Sequence, residues 1–430
     1  MSDPSQEILS NLVKHSPHVD FGDRKLDRES SLAAIGQLPS CIETLRLGDV
    51  DFPGLCPFIL RRLPVLKKLD MEFMYITDDE ANMMLRMDLL EELCVSIFSP
   101  SITTIQALCH RLAHLKLHCA EIEDDCEVFI SDCKRLQSLE LSISSVAKQT
   151  AVVDCNRLRS LVIKLPKDNC KPDPMLGMDL IQRTLPEVVP PTISVAWCES
   201  LESLYLEGPI AEGTVMQGLP SLRSLTTLDL GLSWREDIPQ SLEHLHVLRA
   251  WNSNLVMADV MGCCSRLVSL HLASIDDDVT VRSPSLTSIK CVWERSQKRV
   301  QLGCPQLQSL YVKNGTFHFP EDDCKSTKLQ SLTINGCDDL SDSALRELLP
   351  SCPTISSLSI EFCDHLRIID LSSLNTLVHL KFHECPHLRL VVAAKGLSLL
   401  QHVEIVGAHR AFDTVALAAI VPPSAKTVIR

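Results

Sequence analysis

The chain has 430 residues, a length that usually folds as two or three domains with a large core. It contains 67 leucines but 18 aromatic residues, which predicts thin aliphatic layers. With a net charge of −14 it repels phosphate backbones and anionic lipids, so we expect no binding to nucleic acid or membrane surfaces. The opening residues lack the apolar run of a signal peptide, and no stretch approaches the roughly 18 apolar residues of a membrane-spanning helix. We therefore expect a cytoplasmic protein, with a nuclear location also open, whose 19 cysteines are reduced.

A short pattern, L-x-x-L-x-L with other apolar residues allowed at some places, recurs along nearly the whole chain. The first apolar residues of its sixteen copies are at positions 42, 66, 90, 112, 136, 158, 201, 225, 242, 267, 286, 307, 329, 355, 377 and 400. Most steps between copies lie between 19 and 26 residues. This spacing is typical of leucine-rich repeats, whose period is about 20–29 residues.

Each copy predicts a short strand, in which alternation directs the fourth and sixth motif residues to the core and the fifth to solvent. Before the first copy, residues 18–39 are predicted to form an irregular first repeat. The segments 76–87 and 340–350 predict returning helices, because Thr or Ser followed by acids stands at the start of each. The last residues, 425–430, resemble half of another strand.

These elements predict an α/β fold, a leucine-rich-repeat solenoid or horseshoe. Parallel strands are expected on the concave face, with helices or irregular segments on the convex face. We expect a single domain over residues 1–430 with about 17–18 repeats. Prolines crowd into 165–192, which predicts either a loop that leaves the solenoid or, as we favour, a degenerate repeat carrying a protruding loop.

Cysteines follow the repeat in two registers. Seven stand three places before a copy and three stand at its ninth position: Cys109, Cys133, Cys155, Cys198, Cys264, Cys304 and Cys352, then Cys337, Cys363 and Cys385. A small, readily buried residue with a weak S–H donor suits a tight turn beside backbone carbonyls, so we predict a structural role.

The segment CDDLSDSALRELLPSCPTISSLSIEFC, residues 337–363, resembles the cysteine-containing leucine-rich repeats of F-box substrate receptors and their relatives without an F-box. This resemblance implies a substrate receptor or adaptor in SCF-type ubiquitin ligation, with ubiquitin-ligase core components among its partners. PSQEILSNLV, residues 4–13, is faintly similar to the opening of an F-box, but residues 18–39 are better interpreted as the irregular first repeat than as the rest of that module.

Two further runs, EFCDHLRII and HECPHLRLV, are similar to the C-terminal repeats of plant-type intracellular immune receptors. This second resemblance implies the recognition portion of an immune-type sensor. No Walker motif precedes the repeats, so a complete receptor of that type is not expected.

One segment of the sequence matches a catalytic motif: HECPH at 383–387 satisfies the H-E-x-x-H pattern of zinc proteases. That pattern needs a helix, whereas this segment comes directly after a predicted strand and contains Pro386. His379 and His402 are expected about 5 Å apart on neighbouring strands, with Glu404 nearby, and we weigh a metal site, a partner contact and solvated surface. We predict no catalytic residues, no metal and no cofactor, and hence no enzyme.

The solvent-facing residues of the strands carry the remaining candidates. Serine recurs at the third motif position, while the fifth position varies from copy to copy. A constant row beside a variable row is how a scaffold would hold a recognition surface for a protein partner. Trp234, Trp251 and Trp293 fall just beyond strands of the same central region, although aromatic residues also suit strands generally. The predicted partner-binding residues on the concave face are Tyr205, Asp229, His246, His271, Trp293, Tyr311 and Lys381.

Overall fold

The structure is a computed structural model of the chain. It describes residues 17–21, 28–48, 54–120, 127–143, 149–165, 192–207, 225, 227–233, 245–251, 266–275, 278–293, 298–318, 328–337 and 340–430. Most of the proline-rich segment 165–192, the faint F-box likeness at 4–13, Trp234 and Cys264 lie outside these residues. The chain divides into two compact units, unit 1 at Met1–Leu225 and unit 2 at Thr226–Arg430. A single repeat domain over 1–430 stays a prediction.

Unit 1 is built on a sheet of parallel strands, one per repeat. Its strands are β1 (His18–Asp20), β2 (Thr44–Arg46), β3 (Lys68–Ile76), β4 (Glu92–Ile97), β5 (His114–Cys119), β7 (Ser138–Ile143), β9 (Ser160–Lys164) and β11 (Ser203–Glu207). The return segments hold α1 (Arg28–Gln37), α2 (Leu55–Arg62), α3 (Asp78–Met84) and α4 (Ile102–Arg111), then a small parallel sheet of β6 (Glu127–Ser131), β8 (Gln149–Val153) and β10 (Thr192–Ala196).

Unit 2 repeats the plan. Its main strands are β12 (Thr227–Ser233), β13 (Val247–Trp251), β14 (Ser269–Ile275), β16 (Ser288–Trp293), β18 (Ser309–Lys313), β20 (Ser331–Asn335), β21 (Ser357–Glu361), β23 (His379–His383), β25 (His402–Val406) and β26 (Lys426–Ile429). The return segments hold β15 (Val279–Arg282), β17 (Lys298–Gly303), β19 (Gly315–His318), β22 (Ile368–Asp370), β24 (Leu390–Val392), α5 (Asp342–Leu348), a 3₁₀ turn (Leu349–Ser351) and α6 (Thr414–Ile420).

Leucines hold neighbouring strands in phase. In unit 1, Leu69, Leu93 and Leu115 are register partners on successive strands, and each is 2% exposed. Burying such a side chain contributes about 1.5–3 kcal/mol, and a slip of one residue would turn every leucine of a strand to solvent. The prediction of an α/β leucine-rich-repeat fold is therefore confirmed, with parallel strands on one face and the return segments on the other.

One hydrogen-bond pattern marks where each strand begins. The carbonyl of the second motif residue accepts two N–H groups from the next repeat, as Glu43 accepts from Lys67 at 2.8 Å and from Lys68 at 3.0 Å. Both donors sit at the turn into the strand, so this carbonyl fixes the start of the next strand. The pattern identifies the phase of a repeat independently of its side chains.

The return segments differ in part from expectation. The predicted helices at 76–87 and 340–350 are present as α3 and α5. Thr77 and Glu80 form a reciprocal capping box at the start of α3, with the Thr77 Oγ1 accepting from the Glu80 backbone N–H. Short strands instead of helices or irregular segments fill several other returns, because alternation buries Val128 and Ile130 there.

Buried thiols satisfy backbone carbonyls, as predicted. Cys133 donates to the carbonyl of Ser131 at 3.4 Å, and Cys304 donates across repeats to Val281 at 3.6 Å. At the ninth position Cys337 donates to the carbonyl of Gly315 at 2.7 Å. Burial raises the pKa of the Cys385 thiol, which favours the neutral donor. The cysteine periodicity is therefore a property of the turns.

None of the described helices is long and apolar enough to cross a bilayer.

Phe362 follows β21 in the left-handed region, at φ 53°, and its N–H donates to the carbonyl of His383 at 2.8 Å. Phe362→Gly and Phe362→Ala remove the same ring, but Ala keeps the steric cost of this backbone. We expect the free energy of unfolding of the Gly variant to exceed that of the Ala variant by about 0.5–1 kcal/mol. This difference allows for the greater conformational freedom of Gly in the unfolded chain. Urea denaturation followed by circular dichroism measures the difference. An Ala variant as stable as the Gly variant would contradict the left-handed conformation.

Candidate functional site

The solvent side of each main sheet, here called the open face, carries the candidate residues. In unit 2 the strands align the fifth motif positions in one row across neighbouring repeats. The row contains Asp229, Arg249, His271, Lys290, Tyr311, Thr333, Ser359, Lys381, Glu404 and Val428. Beside it runs a row of third positions that includes Ser269, Ser288, Ser309 and Ser331. Over the strands from β14 to β20 a varied row therefore stands next to a row of serines, whereas farther along the sheet the third positions include His379 and His402.

Four of the predicted contact residues lie in this row of unit 2: Asp229, His271, Tyr311 and Lys381. Tyr205 lies on the open face of unit 1, in β11, where its hydroxyl donates to the Glu207 Oε2 at 2.9 Å. Strand β13 contains Trp251, in register with Ala273. The predicted contact residues therefore divide between the two units.

The placement of His246 in the variable row was wrong. Its carbonyl accepts the N–H groups of Val268 and Ser269, both at 2.9 Å, which is the mark of the second motif position. Leu245, not residue 242, is the first residue of this repeat and is fully buried. The run LEHLHVLRA contains two overlapping matches to the motif, three residues apart. Arg249 takes the fifth position, in register with Asp229 and His271.

The assignment of Trp293 as a surface contact was also wrong, because its side chain is 0% exposed. In β16, burial alternates, and Ile289, Cys291 and Trp293 all face the core. The indole has room because Gly315 stands beside it: a Cβ there would lie 2.5 Å from the Trp293 Cε3. Trp293 is thus a packing residue of unit 2.

Arg249, His271, Lys290 and Tyr311 occupy four successive strands and are here called the basic patch. The Lys290 Nζ stands 5.1 Å from the centre of the Tyr311 ring, a cation–π contact. The pKa of His271 is lowered to about 4 by burial first, then by Lys290 and Arg249. His271 is therefore neutral at pH 7 and lies between Arg249 and Lys290 in the register.

Lys381, farther along the same row, is bound to a neighbour. Its Nζ lies 2.7 Å from the Glu361 Oε1, and that carboxylate also accepts from Ser359 and Asn335. The hydrogen bond to Glu361 raises the pKa of Lys381. Burial alone would raise the pKa of Glu361, but the hydrogen bonds from Lys381 and Ser359 and the Lys381 charge lower it overall. The positive charge of Lys381 is thereby balanced by the carboxylate of Glu361.

The open face of unit 1 is a lattice of ion pairs around a hollow of about 510 Å³. Arg46 lies between Asp20 at 3.6 Å and Asp70 at 3.4 Å. Lys116 pairs with Glu72 at 2.7 Å, and its hydrogen bond is the main reason for the lowered pKa of that carboxyl. Sequence reasoning overlooked this lattice, although charges of alternating sign at fifth positions 46, 70, 116 and 140 were its signal.

Three neighbouring side chains of unit 1 are possible metal ligands. Ligand atoms of Asp70, Glu72 and Cys94 lie within 4.8 Å of one another, the one such group among the described residues. However, Asp70 pairs with Arg46, Glu72 pairs with Lys116, and burial raises the pKa of the Cys94 thiol well above its usual range. These contacts make the group a part of the ion-pair lattice.

The histidine candidates in unit 2 are arranged differently from a metal site. HECPH at 383–387 is a strand end followed by a turn, not a helix, so the zinc-protease geometry is absent from this segment. Glu384 there has φ 49°, and Cys385 is buried. The rings of His379 and His402 lie 6.4 Å apart between centroids and form a tilted surface pair.

No family model matches the sequence. Among solved structures, the chain is similar to the plant peptide hormone receptor RGFR1 in complex with RGF2, with 13% identity over 85% of this chain and 71% of that chain, and a TM-score of 0.37. It is also similar to the circular leucine-rich-repeat protein CroV588, with 13% identity, 96% and 69% coverage and a TM-score of 0.41. A third is the leucine-rich-repeat ectodomain of the membrane receptor kinase GASSHO1/SCHENGEN3 from Arabidopsis thaliana in complex with CASPARIAN STRIP INTEGRITY FACTOR 2, with 14% identity, 87% and 51% coverage and a TM-score of 0.38. At these TM-scores the matches carry no argument, and the fold rests on the strand register described above.

Proposed function

We propose that the chain is a non-catalytic scaffold that recognises a protein partner through the open face of unit 2. The observation that carries this proposal is the row of varied side chains held at strand spacing beside the serine row. Such a row offers a wide, shallow contact area whose chemistry changes from strand to strand. A protein surface matches this geometry better than a small substrate does, because small-molecule sites are enclosed concave pockets.

Within the patch, Tyr311 and Arg249 are the side chains best suited to anchor a partner. Tyrosine and arginine dominate binding hot spots, since both combine large contact area with hydrogen-bonding groups. Tyr311 is half-buried and held under Lys290, while Arg249 is exposed. We therefore assign the centre of the contact to these two residues.

We further propose that the scaffold serves as a substrate receptor or adaptor in ubiquitin ligation, in a reducing compartment such as the cytoplasm. This finer role is supported by the resemblance of residues 337–363 to the repeats of F-box substrate receptors. Affinity purification from the native cell followed by mass spectrometry tests it. Recovery of cullin-type ligase components supports the role. A stable partner recovered reproducibly without them would contradict it, and a nucleotide-binding domain joined upstream would favour the immune-sensor alternative.

Replacing Arg249 and Tyr311 together with Ala should weaken binding of the recovered partner by about tenfold or more, because truncation of two anchors removes contact area and hydrogen bonds. The matched control removes the same residue types elsewhere, at the exposed Tyr75 and Arg410. Surface plasmon resonance gives the dissociation constants, and circular dichroism checks that each variant melts like the parent. Equal binding by both double variants would refute the open face of unit 2 as the contact surface.

A further inference from the structure

The basic patch differs electrostatically from the open face of unit 1. In unit 1 the cations of the fifth row contact carboxylates, as Arg46 contacts Asp20 and Lys116 contacts Glu72. In unit 2, Lys290 contacts the ring of Tyr311. Neither Lys290 nor Lys313, its neighbour on β18, has a carboxylate within 4.0 Å among the residues that the structure describes. Two cations on adjacent strands therefore face solvent without a matching anion there.

His271 lies at the centre of the patch, between two cationic side chains. Its register partners on the adjacent strands are Arg249 on β13 and Lys290 on β16, and on its own strand Ser269 and the buried Ala273 lie two residues away. Burial is the largest cause of its lowered pKa, and the charges of Lys290 and Arg249 lower that pKa further. Two cations thus flank His271 in the register, even though the whole chain carries −14.

Among the described acids, Glu361 stands two strands from Lys313 in the register, and burial and then the charge of Glu361 raise the pKa of Tyr311. Glu361 is bound to Lys381 at 2.7 Å, and Glu404 lies beyond that pair on β25. At the other end of the patch, Asp229 is the register partner of Arg249 and stands three strands from Lys290. An anion approaching Lys290 and Lys313 therefore meets attraction with little competition from the row itself.

We propose that the basic patch, together with Lys313, binds an acidic protein segment whose carboxylates lie over Lys290, Lys313 and Arg249. This inference rests on the proposed function and names the chemistry of the partner. The serine row beside the patch offers hydroxyl donors to the same carboxylates, and Tyr311 offers an apolar surface to the side chains between them. The negative charge of the rest of the chain disfavours a polyanion as long as a nucleic acid.

Binding of carboxylates at this position is expected to be linked to protons. A carboxylate above His271 opposes the effect of Arg249 and Lys290, so the pKa of His271 rises from about 4 when the segment binds. The complex then takes up a proton, and affinity increases as the pH falls from 7 toward 5, above the range where glutamate itself is protonated at about 4.3. His271→Asn should abolish this increase without changing the affinity at pH 7.

The probe is a fluorescein-labelled octapeptide of alternating Glu and Ala, measured by fluorescence anisotropy against the full chain. We expect Lys290→Ala with Lys313→Ala to weaken its binding about tenfold, because each exposed ion pair contributes up to about fivefold. The control variant, Lys395→Ala with Arg410→Ala, loses the same charge at exposed turn positions of unit 2 and should bind like the parent. Raising the salt concentration should weaken the parent and the control but affect the patch variant less.

Three results would overturn the inference: equal binding by the patch and control variants, equal binding of a Gln–Ala octapeptide, or tighter binding of an eight-nucleotide oligouridylate. The last result would reassign the patch to nucleic acid. Binding assays with the native partner recovered by affinity purification distinguish failure of the acidic-segment proposal from failure of the proposed function. If the peptide does not bind but the Arg249 and Tyr311 variant still loses the native partner, only the acidic segment is wrong. If that variant keeps the native partner, the open face itself is wrong.

Discussion

Replacing Trp293 with Ala should lower the free energy of unfolding by about 3–5 kcal/mol, the usual cost of emptying a buried indole site. The side chain is 0% exposed at the end of β16. Its neighbours are held by backbone hydrogen bonds, including Gly315 in β19, so the cavity cannot collapse easily. Urea denaturation followed by circular dichroism measures the loss as a lower midpoint.

Trp197→Ala is the matched control, because it removes the same side chain from a position that is 61% exposed. Both Trp and Ala carry a Cβ, so the left-handed backbone at this position, φ 58°, has the same steric cost in the parent and in Trp197→Ala. We expect a change of less than about 1 kcal/mol. If Trp293→Ala proved as mild as Trp197→Ala, the Trp293 ring would have to lie at the surface, where a contact role would again be open to it.

The strands of the main sheets could be predicted because two signals agree. Leucines at the first and fourth motif positions recur at the repeat period, and alternation within each copy separates core from solvent. Leu358 and Leu380, for example, lie in register on neighbouring strands and are buried. The strands of the return segments could not be predicted from the motif. β22 and β24 have three residues each, too few to show a period.

The row of candidate contact residues could be predicted only where the phase was unambiguous. His271 and Tyr311 belong to well-spaced copies and lie where the motif puts them. His246 was misplaced because residues 242 and 245 both satisfy the motif, and only the hydrogen bonds to its carbonyl decide between them. Trp293 was assigned to the surface although it comes four residues after the buried Ile289, a spacing that puts both side chains on the same face of a strand. Continuing the alternation two residues past Cys291 would have avoided that error.

The ion pairs between strands could not be predicted from the sequence, for a different reason. Lys116 contacts Glu72, two strands away, across a register shift between Met71 and Tyr75 in β3. A bulge of this kind re-aims a side chain without any mark in the repeat pattern. The electrostatic contrast between the two open faces therefore emerges only from the folded chain, and with it the reason to regard the basic patch as a binding surface.

Gly315→Ala should lower the free energy of unfolding by about 1–3 kcal/mol, since the new Cβ would lie 2.5 Å from the Cε3 of the fully buried Trp293. In the Trp293→Ala background the same substitution should cost nothing, or stabilise by about 0.4–1 kcal/mol, because the obstructing ring is gone and Ala restricts the unfolded chain. The double-mutant cycle should thus give a coupling energy of about 1–4 kcal/mol. Gly396→Ala is the control, since the nearest atom to its Cβ is the Ile420 carbonyl oxygen at 3.9 Å. Additive losses at positions 293 and 315, measured by urea denaturation, would show that the indole and the glycine do not share one site in the core.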